Sequence, residues 1–175
     1  MNRNFCRIAI VMLLTVCAGF FTQASSLPTN APARIELRDQ FDAPQILIFP
    51  STNVTVLTIA DRRGSEQISA WVIGIKKRFA NQVDIRGLAD VSAVPRPLHS
   101  LVRKKFQHVQ SYPVMMDWTG TEVKRFRYTA GKANLLVIDH HGQIVRRYCG
   151  EATPALIQDL SASLDLLISG KPANN

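Results

Sequence analysis

Cysteine is scarce in this chain, with three in 175 residues: Cys6, Cys17 and Cys149. A small fold stapled by disulfides is therefore excluded. Aromatic residues make up only 7% of the chain, and Gly and Pro number nine each, without a period, which excludes a collagen-like chain. Charged residues at 19% against 46% hydrophobic exclude a disordered or coiled-coil chain as well. What remains is a globular composition of a length for one domain plus a short appendage, large enough to bury a core without covalent help. Acid is in short supply too: thirteen Asp plus Glu against twenty-one Lys plus Arg give a formal charge of +8.

Part of that excess sits at the N-terminus. Arg3 and Arg7 come with no acid, and Ile8 to Phe21 (IAIVMLLTVCAGFF) then run without a charge up to Thr22-Gln23-Ala24. A basic start, an apolar run and small residues at Thr22 and Ala24 are the three parts of a secretory signal peptide, so residues 1–24 are expected to be removed. The run falls short of the ~20 apolar residues a membrane-spanning helix needs. An uncleaved anchor stays open as the alternative, whereas Val16 stands where a lipoprotein cleavage box expects a small residue and argues against lipid on Cys17. Cleavage after Ala24 leaves 19 basic against 13 acidic residues, +6, and Cys149 as the one cysteine. In an exported chain that means no internal disulfide and no dithiol.

Ser25 to Ala33 (SSLPTNAPA) has no apolar period and reads as a flexible lead-in, with a single domain expected over residues 34–169 and a tail over 170–175. Val54 to Ala60 (VTVLTIA) is β-branched and nearly uninterrupted, as a strand buried on both faces would be. Ile68, Trp71, Val72, Ile75 and Phe79 follow at helical spacing, ending in Lys76-Lys77-Arg78 where a helix dipole favours cations. Val83 to Ala89 predicts a strand. Leu98, Leu101, Val102, Phe106 and Val109 mark a second helix, Tyr112 to Met116 a short strand, and Gly120 to Tyr128 a brief helix. Leu135 to Asp139 and Ile144 to Tyr148 flank His140-His141-Gly142-Gln143 as a hairpin. Thr153 with Pro154 opens a last helix carrying Leu156, Leu160, Leu164 and Leu167. The order is β-α-β-α-β-α-β-β-α, with a further small strand expected at Gln45 to Phe49. Strands separated by helices predict an α/β fold of three layers, with a mixed central sheet and helices on both faces.

This order, with its Leu-Val-Ile-Asp-x-x-Gly hairpin (Leu136 to Gly142) and closing helix, resembles the thioredoxin fold, and more narrowly the redoxin branch that includes the alkyl hydroperoxide reductase and thiol-specific antioxidant family. The segment Ile35 to Phe41 is similar to that family's opening "L-x-D-x-x-G", and Asn134 to Val145 to its "F-L-I-D-x-x-G-x-I-V" hairpin. The resemblance covers nearly all of the chain beyond residue 33. It implies thiol chemistry at the start of the first long helix, where the dipole and free N–H groups lower a thiolate's pKa.

The residues depart from the family at that place. The junction reads Ala60-Asp61-Arg62-Arg63-Gly64-Ser65-Glu66-Gln67, which sets Arg63 and Glu66 where the resemblance implies the two cysteines. Neither side chain exchanges disulfides. The family's cis-proline before the hairpin strand is replaced by Ala133 in Lys132-Ala133-Asn134. A cis bond there would cost ~3 kcal/mol, so a trans loop and an altered groove are expected.

Three groups of candidate residues follow. Cys149, at the end of the last strand, is expected at the same end of the sheet as the junction, with Arg147 rather than Arg146 on its face; it is either a one-cysteine redox site or a half-buried strand-ending residue. Arg62, Arg63, Gly64, Ser65 and Glu66, at a strand's carboxyl end and a helix's start, suit a small anion or a protein partner, with Ala133 beside them. The alternative is that Asp61 or Ser65 merely caps the helix while the arginines face water. His140-His141, in a hairpin turn where adjacent side chains are expected to diverge, lack the carboxylate or thiolate cluster of a metal site, and neither a metal nor a cofactor is expected. Ser65 has no His and Asp partners for a hydrolase triad. The basic groups are spread along the chain without interleaved aromatics, so nucleic acid is not an expected partner.

The sequence thus predicts an exported, periplasmic or extracellular, thioredoxin-like domain in a non-catalytic binding or accessory role. The rival is a peroxiredoxin-like or thiol-disulfide oxidoreductase that works through Cys149.

Overall fold

The computed structural model describes residues 27–110 and 112–170; the expected signal segment lies outside the described residues, as do residues 171–175 of the expected tail. Among the described residues there are seven strands and four α-helices: β1 (Arg34–Arg38), β2 (Pro44–Ile48), β3 (Val54–Ala60), α1 (Ser65–Phe79), β4 (Val83–Asp90), α2 (His99–Val109), β5 (Val114–Asp117), α3 (Thr121–Arg125), β6 (Asn134–Ile138), β7 (Ile144–Cys149) and α4 (Pro154–Ile168); from β2 onward the order is the predicted one, and β1 is a strand beyond it.

Five strands form one sheet in the order β5-β4-β3-β6-β7. The pairs β3·β4 and β4·β5 are parallel, while β6 runs antiparallel to β3 and β7 antiparallel to β6. β3 lies at the centre and every one of its residues is buried, as its nearly unbroken β-branched sequence predicts. Its alternation splits the core. Val54 and Val56 pack with Trp71, Ile75 and Phe79 of α1 and Leu160 and Leu164 of α4. Leu57 and Ile59 pack on the other face with Val123 and Phe126 beside α3 and with Ile35 and Leu47 of the β1–β2 hairpin. α2 covers a satellite cluster through Val102 and Phe106, against Ala89, Val114 and Met116. The architecture is therefore the three-layer α/β sandwich expected, with a mixed sheet.

Buried polar side chains hold the layers in register. Asp39, 1% exposed, accepts from the Phe41 and Ala43 N–H groups through Oδ1 and from Gln45 Nε2 through Oδ2, which turns β1 into β2. Gln40 Oε1 accepts from the Val114 N–H while its Nε2 donates to the Tyr112 carbonyl, tying that hairpin to β5. Trp71 Nε1 donates to the Gly150 carbonyl at 2.9 Å and pins α1 to the end of β7. Thr153 Oγ1 accepts from the Leu156 N–H with Pro154 at the first position of α4, as the sequence predicts.

Three details differ from the sequence-based expectation. The stretch read as a flexible lead-in is held at Pro28 to Ala31: the Ala31 N–H donates to Gly142, the Ile144 N–H to Thr29, and Arg147 to the Pro28 carbonyl. Composition could not show this, because the partners lie more than a hundred residues away. On α2, Leu101 and Val109 point to solvent, 63% and 66% exposed, since β5 at the sheet edge offers room for only Val102 and Phe106. The His140 and His141 rings do not diverge but tilt together, with centroids 4.0 Å apart. No group of three His, Cys, Asp or Glu among the described residues is placed to hold a metal, and no described helix is long and apolar enough to cross a membrane.

Candidate functional site: the junction at the carboxyl end of β3

The parallel strands β3, β4 and β5 all end on one side of the sheet, where β6 begins and β7 finishes. That end collects Asp61 after β3, Asp90 closing β4, Asp117 closing β5, the Ala133 loop before β6, and Cys149. Open α/β sheets place their ligands there because strand termini leave backbone groups and a crevice between loops.

Asp61 is the hub of the junction. Its Oδ1 accepts from the Gly64 N–H at 2.9 Å and its Oδ2 from the Gly131 N–H at 2.6 Å, so one carboxylate joins the start of α1 to the loop before β6. The Asp61 carbonyl accepts from the Ser65 N–H and the Gly64 carbonyl from the Gln67 N–H. Gln67 Oε1 in turn accepts from the Ala133 N–H at 3.0 Å. The helix start thus carries an anion of its own, where the macrodipole favours one. Asp61 sits three residues before Gly64, so it acts as the turn's cap; Ser65 does not, because its hydroxyl donates backward to the Arg62 carbonyl.

Gly64 is buried because the loop lies on top of it. A Cβ at Gly64 would stand 2.2 Å from the Lys132 carbonyl oxygen, a contact with backbone that no rotamer relieves. Ala133 is fully buried and joins the α1 and α4 core. The Lys132–Ala133 bond is trans. Asn134 completes the loop by donating to the Thr129 and Lys132 carbonyls and accepting from the Thr129 N–H. Arg62, Arg63, Ser65 and Glu66 remain exposed around this closed junction. The structure therefore brings Arg62, Arg63, Gly64, Ser65, Glu66 and Ala133 together, with the glycine and alanine as packing and the arginines as the free cationic face.

Cys149 stands at the same end. It pairs in register with Asn134, one residue beyond Ala133, and its side chain is exposed. Register places Arg147 on the same face of β7 as Cys149, but the guanidinium donates to the Phe126 and Pro28 carbonyls, at 3.1 and 2.5 Å. It is committed to the scaffold, and its burial lowers its own pKa.

A second polar pair went unnoticed in the sequence. Tyr128 donates its hydroxyl to Asp90 Oδ2, while Asp90 Oδ1 accepts from the Ser92 N–H and hydroxyl. Burial pushes the Tyr128 phenol up, and the Asp90 hydrogen bond and the charges of Asp90 and Asp61 push the same way. Burial alone would raise Asp90, but its hydrogen bonds from Ser92 and Tyr128 and the Lys124 charge outweigh that and hold it below the usual carboxylate range. A neutral phenol beside a charged carboxylate is a donor pair, not a base. The signal available for Asp90 was an acid closing an apolar strand; nothing near Tyr128 in sequence announced its partner.

Several of the basic residues are paired within the fold. Arg78 meets Asp165, Arg103 meets Asp42, and Arg125 meets Glu122. They sit on different elements and form no continuous stripe.

No protein-family model matches the chain, and no curated protein matches it. Solved structures do. The chain is similar to a putative thiol:disulfide interchange protein DsbE from Chlorobium tepidum, at 15% identity over 82% of this chain and 99% of that one, with a TM-score of 0.62. An exposed lipoprotein thioredoxin from Streptococcus pneumoniae matches at 15% identity over 74% of this chain and 99% of that one, TM-score 0.59. The peroxidoxin BcpB from Mycobacterium tuberculosis matches at 18% identity, over 85% of this chain and all of that one, TM-score 0.53. The fold is thioredoxin-like.

Proposed function

We propose that this chain is an exported, thioredoxin-fold binding or accessory protein of the cell envelope, which uses the face made by Arg62, Arg63, Ser65 and Glu66 together with the Ala133 loop to hold a protein partner or a small anion. The observation that carries this reading is the Asp61 carboxylate bonded to both the Gly64 and the Gly131 N–H groups. It occupies the place where thiol chemistry needs an electropositive helix start, and no cysteine stands between Ala60 and Gln67. Because the first-turn N–H groups of Gly64, Ser65 and Gln67 already have acceptors, an anion here is held by the two guanidiniums rather than by the helix terminus. Thermal unfolding in sulfate and phosphate tests this: the parent protein is expected to gain stability with either anion, and Arg62→Ala/Arg63→Ala to lose that gain. A parent protein indifferent to both anions would remove the anion as the ligand.

Cys149 supports a second reading, since it is exposed and lies one register step from the Ala133 loop. On that reading its thiolate attacks a peroxide or a partner's disulfide, and an external thiol resolves the product. Peroxide consumption and insulin disulfide reduction by the purified protein, beside Cys149→Ser, separate the two. Binding without turnover is the expected result; turnover lost in Cys149→Ser would replace the first reading with the second.

A further inference from the structure

A cleft of about 550 Å³ opens between the β1–β2 hairpin and the end of β5, away from Arg62 and Cys149. Its size is that of a pocket for one small ligand. Leu37, Pro44, Met116 and the Trp118 ring give it apolar walls, and Arg38 and Arg103 line it with charge. Trp118 is fixed in place by stacking on His99 at 3.8 Å, with the Arg103 guanidinium 5.8 Å from the ring centre.

Two observations point to an occupant. Trp118 Nε1 and Arg103 Nε are both shielded from solvent and meet no acceptor among the described residues. Buried N–H donors without an acceptor are uncommon in folded proteins, and both of these belong to side chains that line the cleft. Second, the two guanidiniums already converge on one acidic residue: Asp42 Oδ1 lies 3.2 Å from Arg103, while Arg38 donates to the Asp42 carbonyl at 2.6 Å and lies 3.5 Å from Oδ2. Asp42 is half exposed, so its carboxylate can turn to water when another acid takes its place. The acids in the cleft wall do not compete for the arginines. Glu36 is paired with Arg34 at 2.7 Å, and Asp117 turns both oxygens inward to donors of the following turn.

We propose that this cleft binds a small organic carboxylate, whose acid group takes the place of the Asp42 carboxylate between Arg38 and Arg103 and whose apolar body lies along Trp118. Arginine forks suit a carboxylate in this way, and the ring and Met116 reward an aromatic or branched body over acetate. The site is separate from the junction and does not rest on the function proposed for it.

Calorimetry on the full chain with 3-phenylpropionate, and with its neutral amide as control, tests the proposal. The acid is expected to bind and the amide to bind roughly tenfold more weakly or not at all, the factor that one charge-assisted hydrogen bond is worth. Arg103→Gln and the more exposed Arg38→Gln are each expected to weaken the acid by about the same factor, and Asp42→Asn, which removes the internal competitor, to tighten it. The Trp118 indole N–H resonance should shift on binding while that of Trp71, already bonded to the Gly150 carbonyl, stays still. A tripeptide ending in a free phenylalanine carboxylate forms the second arm. Tighter binding than the free acid assigns the site to polypeptide C-termini, and weaker binding to small acids. Equal binding of acid and amide, no heat from either at millimolar concentration, full affinity in a folded Arg38→Gln, or an unmoved Trp118 resonance would each overturn the proposal.

Discussion

At Gly64 the backbone of one segment lies against the backbone of another, and the missing side chain is what permits it. A methyl group there would stand 2.2 Å from the Lys132 carbonyl, so either α1 or the loop must move and the Asp61 bonds with it. Gly64→Ala is expected to cost about 2 kcal/mol or more, although the residue's φ of −64° suits alanine. A urea midpoint unchanged from the parent would contradict that contact. Tyr148 gives a prediction of a different kind. Burial, with the Asp159 hydrogen bond and charge, pushes its phenol from 10.0 up to about 12. Between those two pH values the unfolded chain sheds a proton that the folded chain keeps, so stability falls as pH rises through the window. Tyr148→Phe should therefore be less stable than the parent at neutral pH, having lost the bond to Asp159, yet show a shallower decline with pH above 10. Equal slopes in pH-dependent urea melts would count against the shift.

Among the elements, α3 depends most on a single residue. Five residues cannot sustain a helix alone, and Thr121–Arg125 is held by Asp117, whose Oδ1 accepts from the Thr119 and Gly120 N–H groups and the Thr119 hydroxyl and whose Oδ2 accepts from Glu122 and Val123. Asp117 is fully buried, so Asp117→Ala would leave several donors without an acceptor. A loss of about 3 kcal/mol in chemical denaturation is expected, with Val123 and Phe126 loosened from the core. The elements that the sequence announced are those whose pattern is local. Val54 to Ala60 reads as a buried strand because it holds seven residues without a charge, most of them β-branched, and Thr153-Pro154 reads as a helix start because the cap is contained within four residues. α2 was legible as a helix but not in its orientation: Leu101 and Val109 kept the apolar spacing and still face water, because the neighbouring strand is four residues long. Asp61 could be recognised as a cap and not as a clamp, since its second partner, Gly131, is seventy residues further on.

On the scale of the molecule, the start of the sheet's β7 edge is met by a segment from the other end of the described chain. Thr29 and Ala31 bond to the β6–β7 turn and start of β7, and Arg147 reaches past that strand to Pro28 and Phe126. Arg147→Gln is expected to increase amide hydrogen exchange at Ala31 and at Ile144, the two N–H groups that bond the segment to the hairpin, while leaving α1 and α4 as protected as before; protection unchanged at both would show that the side chain is not what docks the segment. By contrast Cys149→Ser, at an exposed position, should shift stability by no more than about 0.5 kcal/mol. The three-layer order was readable from the alternation of strands and helices. The docking of the N-terminal segment was not, because it rests on main-chain bonds that any residue but proline could donate.

The carboxylate of Asp61 also bears on reversibility. Cysteines placed at Arg63 and Glu66 would give the spelling of a dithiol without its electrostatics: a thiolate at the start of α1 would form beside a negative charge that already holds the Gly64 N–H, which opposes the lowering of its pKa. Recovery of disulfide exchange would require a third change, at Asp61 itself, and that change would release the Gly131 loop on which the packing of Ala133 depends. Of the three changes it is the one at Asp61 that weakens the fold, so thiol chemistry and packing are opposed at that single carboxylate.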